Sequence, residues 1–235
     1  NRNKIVELYG DNQDDVGNKW FIGQPIQVHY AEVFDGIWQL DEAEEAAVYD
    51  AEPGQVKVKD LNGDQKITDL DRTIIGSPLP KWIGGITNMF SYKGLDFSFM
   101  LYSRQGSMVY SPFHHSNFAR EWNGRYNKLN VNYWTETNPS NEWPAPNNTG
   151  GREREELKAY VDASFVRVQN ITLGYTFSAN ILNRLKMSGL RLYVTANNPL
   201  IFTDYAGFDP EWSEQNTFNM GVSSAVYLFG ANISF

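Results

Sequence analysis

The chain contains no cysteine among its 235 residues. Disulfide bonds, thiol catalysis and cysteine-ligated metal sites are therefore excluded. Basic residues are also few, since 20 lysines and arginines stand against 28 acidic residues and leave a formal net charge of −8. That balance argues against a nucleic-acid-binding surface. Aromatic side chains are plentiful at 14% and charged residues make up only 20%, which suits a protein with large strand surfaces.

Long hydrophobic runs are nearly absent as well. The one long uncharged run, from Gln215 to Phe235, has the length of a membrane helix. Asparagines at positions 216, 219 and 232 interrupt it, and its end alternates, so a membrane helix is not expected there. Any contact with a membrane is therefore expected through strands, which satisfy their backbone groups in lipid by closing into a barrel.

The end of that run alternates between apolar and more polar side chains. The apolar positions are Tyr227, Phe229, Ala231, Ile233 and Phe235. A period of two predicts a strand with two unlike faces. Such a strand suits a soluble sandwich, and it equally suits an outer-membrane barrel whose apolar face meets lipid.

Two apolar segments, 82–91 and 95–103, flank a tight-turn signal at Lys93-Gly94 and predict a β-hairpin. The facing pairs in that register are Ile86 with Leu101, Asn88 with Phe99, and Phe90 with Phe97. Each arm has about ten residues, close to the ~9–11 that a tilted strand needs to cross a bilayer. Further strands are predicted over 165–177 and 190–197.

The connections between the predicted strands alternate in length. Segments 34–81, 104–163 and 198–221 are long, whereas 92–95 and 178–189 are short. In an antiparallel sheet this order puts the long connections at one end of the strands and the short ones at the other, as in outer-membrane barrels. A soluble sandwich has no reason to segregate its loops in this way, so the barrel is the favoured interpretation.

The sharpest chemical motif lies between Asp60 and Asp71. Calcium prefers about six to eight oxygen ligands, and an EF-hand-type loop supplies them mainly from alternate positions and from its last residue. The corresponding residues are Asp60, Asn62, Asp64, Lys66 (through its carbonyl), Thr68 and Asp71. Gln65 stands where such loops usually hold glycine and would need a positive φ. We expect a bound Ca²⁺, with a metal-free turn rich in Asp and Asn as the alternative.

Several short motifs occur in a fixed order along almost the whole chain. They lie at 34–38, 60–64, 71–78, 84–88, 90–94, 168–175, 197–198, 202–203 and 205–211. Found together in this order, they resemble the C-terminal region of the SusC/RagA-type TonB-dependent transporters of the Bacteroidetes outer membrane.

The resemblance implies an all-β fold, namely about six to eight antiparallel strands from the C-terminal part of a transmembrane barrel of about 22 strands with long extracellular loops. Residues 1–235 are then a C-terminal segment of the barrel, without the plug and the TonB box. The implied location is the outer membrane. The implied partners are a SusD-like surface lipoprotein, the TonB complex, and the rest of the chain's own barrel and plug.

The function implied by the resemblance is TonB-dependent import of oligosaccharides. Oligopeptide import by the same architecture and a soluble calcium-dependent binding module remain alternatives. Sugar sites favour aromatic faces with polar neighbours, and the candidate substrate-binding residues are Tyr102, Arg104, Trp122, Tyr126, Trp134 and Trp143. The alternative for each loop aromatic is packing within its own loop or against the lipoprotein.

No catalytic site is predicted, and the protein is not expected to be an enzyme. His114-His115 is the only adjacent histidine pair, and such a pair in a loop favours a surface or packing role. The sequence shows no phosphate-binding glycine loop, nucleophile elbow or zinc-ligand spacing.

Overall fold

The structure is a computed structural model that describes residues 3–112, 114, 131–146, 154–207, 209–212 and 223–235. The chain divides into two compact units. The first unit comprises residues 1–79, 107–162 and 213–220, and the second comprises residues 80–106, 163–212 and 221–235.

The elements are numbered in chain order. The strands are β1 (His29–Glu32), β2 (Phe34–Ile37), β3 (Val56–Val58), β4 (Arg72–Gly76), β5 (Trp82–Tyr92), β6 (Leu95–Gln105), β7 (Met108–Tyr110), β8 (Tyr160–Asp162), β9 (Phe165–Thr176), β10 (Gly189–Phe202) and β11 (Val226–Ser234). The α-helices are α1 (Ala43–Val48) and α2 (Ala179–Leu185), and short 3-10 helices cover Leu40–Glu42, Asp69–Asp71, Glu155–Ala159 and Pro210–Trp212. No helix in the described part of the chain is long and apolar enough to cross a membrane.

The first unit contains three small antiparallel sheets, which pair β1 with β4, β2 with β3, and β7 with β8. Its core is a cluster of buried side chains from β1, β2 and β3, from the 3-10 helix at Glu155–Ala159 and from the segment at residues 131–146. The members are Ala31, Ile37, Val56, Val58, Trp134 and Leu157. The strands are three to five residues long, so this unit depends on side-chain packing more than on extended pairing.

The second unit is organised by one antiparallel sheet with the strand order β11-β10-β9-β6-β5. Its strands are 9 to 14 residues long, which covers the ~9–11 residues needed to cross a bilayer at a tilt. The connections alternate as predicted, because 93–94 and 177–188 are short while 106–164 and 203–225 are long.

The predicted hairpin is confirmed in register as well as in position. Phe90 pairs with Phe97, and the pairs Asn88–Phe99 and Ile86–Leu101 follow along β5 and β6. Lys93 (φ 48) and Gly94 (φ 85) both have positive φ, as a type I′ hairpin turn requires. A side chain on Gly94 would have its Cβ 2.5 Å from the Thr176 carbonyl oxygen, so the turn also depends on the absence of a Cβ.

One face of this sheet is apolar and exposed. Phe90, Phe97 and Phe99 form an aromatic cluster on it, with ring centroids 5.9 to 6.5 Å apart. The alternation predicted for the end of the chain is confirmed, since Phe229 of β11 pairs with Val194 on this face and is 85% exposed. A continuous apolar surface of this kind marks contact with an apolar environment.

The expected fold class, an antiparallel part of a barrel, is confirmed. Among the described residues, the sheet holds five strands. The described strands before Trp82 are short and pair in separate two-stranded sheets. The register shifts within both the β1–β4 pair and the β2–β3 pair.

Candidate functional site

The opposite face of the five-stranded sheet carries the polar side chains, and we define it as the polar face. At its centre the Asn170 amide nitrogen donates to Asn197 Oδ1 at 2.7 Å, joining β9 to β10. The hydroxyl oxygens of Thr172 and Thr195 lie 2.9 Å apart, and Thr172 also donates to Asn170 Oδ1 at 3.2 Å. These contacts form an uncharged row of amides and hydroxyls across two strands.

An ion pair crosses the polar face near the Lys93-Gly94 turn. Arg191 of β10 donates to both carboxylate oxygens of Asp96 on β6, through Nε at 3.0 Å and Nη2 at 2.6 Å. The two side chains meet over Gly174 of β9, where an added Cβ would lie 2.5 Å from Arg191 Nη2 and 2.6 Å from the Asp96 oxygens. Glycine at this position therefore makes room for the bidentate contact.

Tyr193 extends the same cluster toward β11. Its ring lies 5.0 Å from the Arg191 guanidinium and covers Gly230, its cross-strand partner. An added Cβ at Gly230 would lie 2.2 Å from the tyrosine ring, so this glycine is required for the ring to lie flat on the strand. An aromatic side chain that covers a cross-strand glycine shields the backbone of both strands.

A second ion cluster lies toward the opposite end of the strands. Arg167 Nη2 donates to Asp209 Oδ1 at 2.8 Å and lies 3.3 Å from Glu211 Oε2. The Arg167 and Asp209 side chains are each 5% exposed, whereas Glu211 is 40% exposed. Arg167 Nε is buried and has no hydrogen-bond partner among the described residues. The guanidinium also lies 5.2 Å from the Phe165 ring. This cluster ties β9 to the segment that follows β10.

Tyr102 and Arg104, both predicted to bind substrate, lie on the polar face beside this cluster. Tyr102 pairs in register with Arg167, and its ring lies 5.7 Å from that of Phe165. Arg104 pairs with Phe165, and both predicted residues are half-buried. The structure thus brings these two residues together on one surface, while their role in binding stays a prediction.

The loop aromatics are placed differently. Trp134 is 6% exposed, and its indole Nε1–H donates to Gln39 Oε1 at 2.9 Å. A Cβ on Gly54 would lie 2.7 Å from the Trp134 ring, so the ring fills the core of the first unit and offers a ligand almost no surface. Trp143 is half-buried, with the Lys158 ammonium 5.0 Å from its ring. Trp122 and Tyr126 lie outside the described residues.

The backbone of the predicted calcium loop agrees with the motif. Gln65 has φ 63, the positive value expected at the position that usually holds glycine. Asp60 accepts the backbone N–H groups of Gly63 at 2.6 Å and Gln65 at 2.9 Å, which closes the loop on itself. Asp71 is fully buried and accepts from the N–H groups of Thr68 at 2.8 Å and Leu61 at 2.9 Å.

The carboxylates of Asp60 and Asp71 accept hydrogen bonds from backbone N–H groups of this loop. Backbone N–H groups of Thr68, Leu61 and Asn62 hold the pKa of Asp71 below its usual range. Within the described ranges, no three acidic or histidine side chains form a group arranged to hold a metal. The calcium site therefore stays a prediction, which the backbone supports and the side-chain arrangement does not.

Sequence reasoning missed the pairing of Arg167 with Asp209. The alternation of side chains along β9 is interrupted at Gln169. Asn170 pairs with Met100 of β6 and Val168 pairs with Leu101, so Gln169 is an extra residue without a partner on β6. The shift at Gln169 changes which side of β9 the preceding residues face. Asp96, the partner of Arg191, lies two strands away in the sheet, and no local sequence signal joins the two residues.

Comparison with known proteins identifies the class of the chain. It is 31% identical over 212 residues to TonB-dependent receptor P3 of Formosa agariphila, a match that takes in 88% of this chain and 20% of that receptor. No protein-family model matches the chain. With the antiparallel sheet and its two unlike faces, this similarity shows that the chain belongs to the TonB-dependent receptors and forms part of such a barrel.

Within that class, the chain is similar to TonB-dependent receptor SusC of Bacteroides thetaiotaomicron, with 29% identity over 248 residues, 100% of this chain and 23% of that receptor. The RagAB peptide transporter superposes with a TM-score of 0.73 over 100% of this chain and 26% of that chain. Its identity of 24% shows the fold alone. These relatives are receptors and transporters, not enzymes. The chain spans about a fifth to a quarter of the length of its curated relatives.

Proposed function

We propose that this chain is part of an outer-membrane, TonB-dependent importer of oligosaccharides. The observation that carries the proposal is the five-stranded sheet, which has an exposed apolar face suited to lipid and a polar face suited to a water-filled lumen. Membership in the TonB-dependent receptors supplies the expected energy source. In this proposal the strands of the second unit cross the bilayer.

The uncharged row on the polar face supports a saccharide over a peptide as the solute. Asn170, Thr172, Thr195 and Asn197 present amides and hydroxyls, which can exchange hydrogen bonds with sugar hydroxyls without attracting either charge. The charges of Asp96 and Arg191 on the same face neutralise each other. A peptide with charged termini and side chains would gain little from such a surface.

The proposed importer needs partners. Among the described residues, β5 and β11 each pair on one side only, and an unpaired strand edge in lipid is strongly unfavourable. We therefore assign the two edges to further strands of the same barrel. The plug of that barrel, the TonB complex and a SusD-like lipoprotein complete the proposal by analogy with the family.

We also propose Ca²⁺ as a ligand of the loop at residues 60–71. The spacing of its oxygen-bearing residues and the positive φ of Gln65 support this assignment. Asp60, Asn62, Asp64, Thr68 and Asp71 with the Lys66 carbonyl are the proposed ligands. Bound calcium would contribute order to this loop and take no part in transport chemistry.

The substrate class is tested by purifying the intact transporter in detergent and identifying by mass spectrometry any ligand that it carries. Oligosaccharide in the cavity is the expected result, and uptake by cells expressing the protein should depend on TonB. A peptide in the cavity would contradict the saccharide assignment. Recovery of the intact protein in the soluble fraction without detergent would contradict the barrel and favour the calcium-dependent binding module.

A further inference from the structure

The first unit contains an open cleft of about 980 Å³. Its walls come from β1, from the beginning of β4, from the end of β7 and from the 3-10 helix at Glu155–Ala159. A volume of several hundred Å³ suits a ligand of drug size or a short oligomer. The lining residues that the structure describes all belong to the first unit.

Three tyrosines, Tyr30, Tyr110 and Tyr160, line the cleft, and each packs against at least one neighbouring aromatic ring. Tyr110 and Tyr160 meet edge to face with ring centroids 5.0 Å apart, and His29 lies 5.0 Å from Tyr160 on another side. The Tyr30 ring packs on Phe21 at 4.9 Å. Rings fixed in this way provide apolar faces and hydroxyl groups at little entropic cost on binding.

A half-buried ion pair forms a second wall. Arg154 Nε donates to Glu32 Oε2 at 2.8 Å, and the two side chains are 28% and 13% exposed. The contact uses one of the five N–H donors of the arginine and one carboxylate oxygen. The Arg154 Nη groups and Glu32 Oε1 have no further partner among the described residues, so a fixed donor lies beside a fixed acceptor. Adjacent hydroxyls of a sugar, each able to donate and accept, match that arrangement.

The charges of the lining residues that the structure describes balance. Three of these residues are cationic, namely Lys19, Arg72 and Arg154, and three are anionic, namely Glu32, Asp69 and Glu156. Arg72 and Asp69 are themselves paired at 2.9 Å. A cleft without surplus charge has no electrostatic preference for an anion or a cation. Burial raises the pKa of the Tyr160 hydroxyl, so this group stays a protonated donor at neutral pH.

From the aromatic faces, the adjacent donor and acceptor, and the balanced charge, we propose that this cleft binds a neutral oligosaccharide. The inference rests on the proposed function, because it assigns a binding site for the solute that the importer takes up. Tyr110 and Tyr160 stack on the sugar rings, while Arg154 and Glu32 bind adjacent hydroxyls. A charged peptide is the ligand that this chemistry disfavours.

The test uses the intact transporter in detergent and a printed array of neutral oligosaccharides, with acidic oligosaccharides and short peptides on the same slides. The neutral oligosaccharide that binds best is then titrated against variants. Arg154→Gln and Tyr160→Ala should each weaken binding at least about tenfold, since each removes a polar or stacking contact on which recognition depends. Tyr160→Phe keeps the ring and should lose only a few-fold in affinity.

Matched controls lie outside the cleft. Arg184→Gln removes an exposed arginine of α2, and Tyr9→Ala removes a tyrosine that is 78% exposed. Both controls should bind like the parent, and circular dichroism should show all variants folded. Unchanged affinity of both Arg154→Gln and Tyr160→Ala would overturn the inference, as would an array on which only peptides or acidic oligosaccharides bind.

Uptake by cells separates the two proposals. If cleft variants bind like the parent while TonB-dependent oligosaccharide uptake persists, the cleft assignment is wrong and the proposed function stands. If the parent neither binds nor takes up any neutral oligosaccharide, both fail. Weaker binding by the cleft variants together with slower uptake at low substrate concentration supports both.

Discussion

The buried pair of Arg167 and Asp209 is the contact whose loss should be most costly in the second unit. In Asp209→Asn the guanidinium keeps only Glu211, which lies 3.3 Å away and is largely exposed. Removing one partner of a buried ion pair costs about 3–5 kcal/mol, because a charge stays buried without compensation. Arg167 is poorly placed to bear this loss, since its Nε already has no partner among the described residues.

The cost should appear as local opening of the segment that follows β10. Its residues depend on the same region, because Thr203 Oγ1 donates to the Ser164 carbonyl at 2.7 Å and Tyr205 N–H donates to Thr203 Oγ1 at 3.1 Å. A loss of about 3 kcal/mol corresponds to amide exchange on the order of 100-fold faster. Hydrogen exchange followed by mass spectrometry at residues 203–207 measures it.

Glu211→Gln is the matched control. The carboxylate of Glu211 is 40% exposed and lies farther from the guanidinium, so its removal should cost no more than about 1 kcal/mol and accelerate exchange less than about sixfold. Equal acceleration in the two variants would show that burial does not decide the cost. Exchange in Asp209→Asn within threefold of the parent would refute the reasoning altogether.

Three further predictions concern the calcium loop and the hairpin turn. Calorimetry should detect Ca²⁺ binding to the intact protein, and chelation should change the hydrogen-exchange protection of residues 55–75 but not that of the strands. If calorimetry detects no heat of binding and chelation leaves the protection unchanged, the calcium site is wrong. The lowered pKa of Asp71 means that its stabilisation is complete above the ordinary carboxyl pKa of about 3.9 and is lost as pH falls through the lowered value. Pepsin should therefore cut residues 60–71 increasingly below about pH 4 in the parent, whereas Asp71→Asn should be cut without that pH dependence. Gly94→Ala should cost about 1–3 kcal/mol because of its φ of 85 and its contact with Thr176, lowering the refolded yield in detergent, while Lys93→Gly should not.

The sheet of the second unit was predictable because its signals are local. Alternation, the Lys93-Gly94 turn and the order of loop lengths determine the strands, the register of the hairpin and the face of each side chain in β6 and β11. These features need only a period of two and one turn, which neighbouring residues specify.

The features that escaped prediction depend on residues far apart in sequence. The Asp96–Arg191 pair joins positions 95 residues apart, and Arg167 meets Asp209 only because the register shift at Gln169 changes the side it faces. Trp134 was predicted to bind substrate, but its ring packs against Gly54 in the core of the first unit, in space that a Cβ at position 54 would occupy. Aromatic content identifies rings that can stack on a sugar, but only tertiary packing decides which rings remain accessible.

On the polar face and in the cleft, arginine side chains form close ion pairs with carboxylates. Asp96 neutralises Arg191, Asp209 neutralises Arg167, and Glu32 neutralises Arg154, each at 2.6 to 2.8 Å. Charged side chains paired at that distance keep hydrogen-bonding groups in fixed positions while contributing little long-range field. Surfaces of this kind recognise hydroxyl geometry and discriminate weakly by charge. In the proposed importer, a solute bound at either surface would therefore be selected by its hydroxyl pattern, which is the property that distinguishes one neutral oligosaccharide from another.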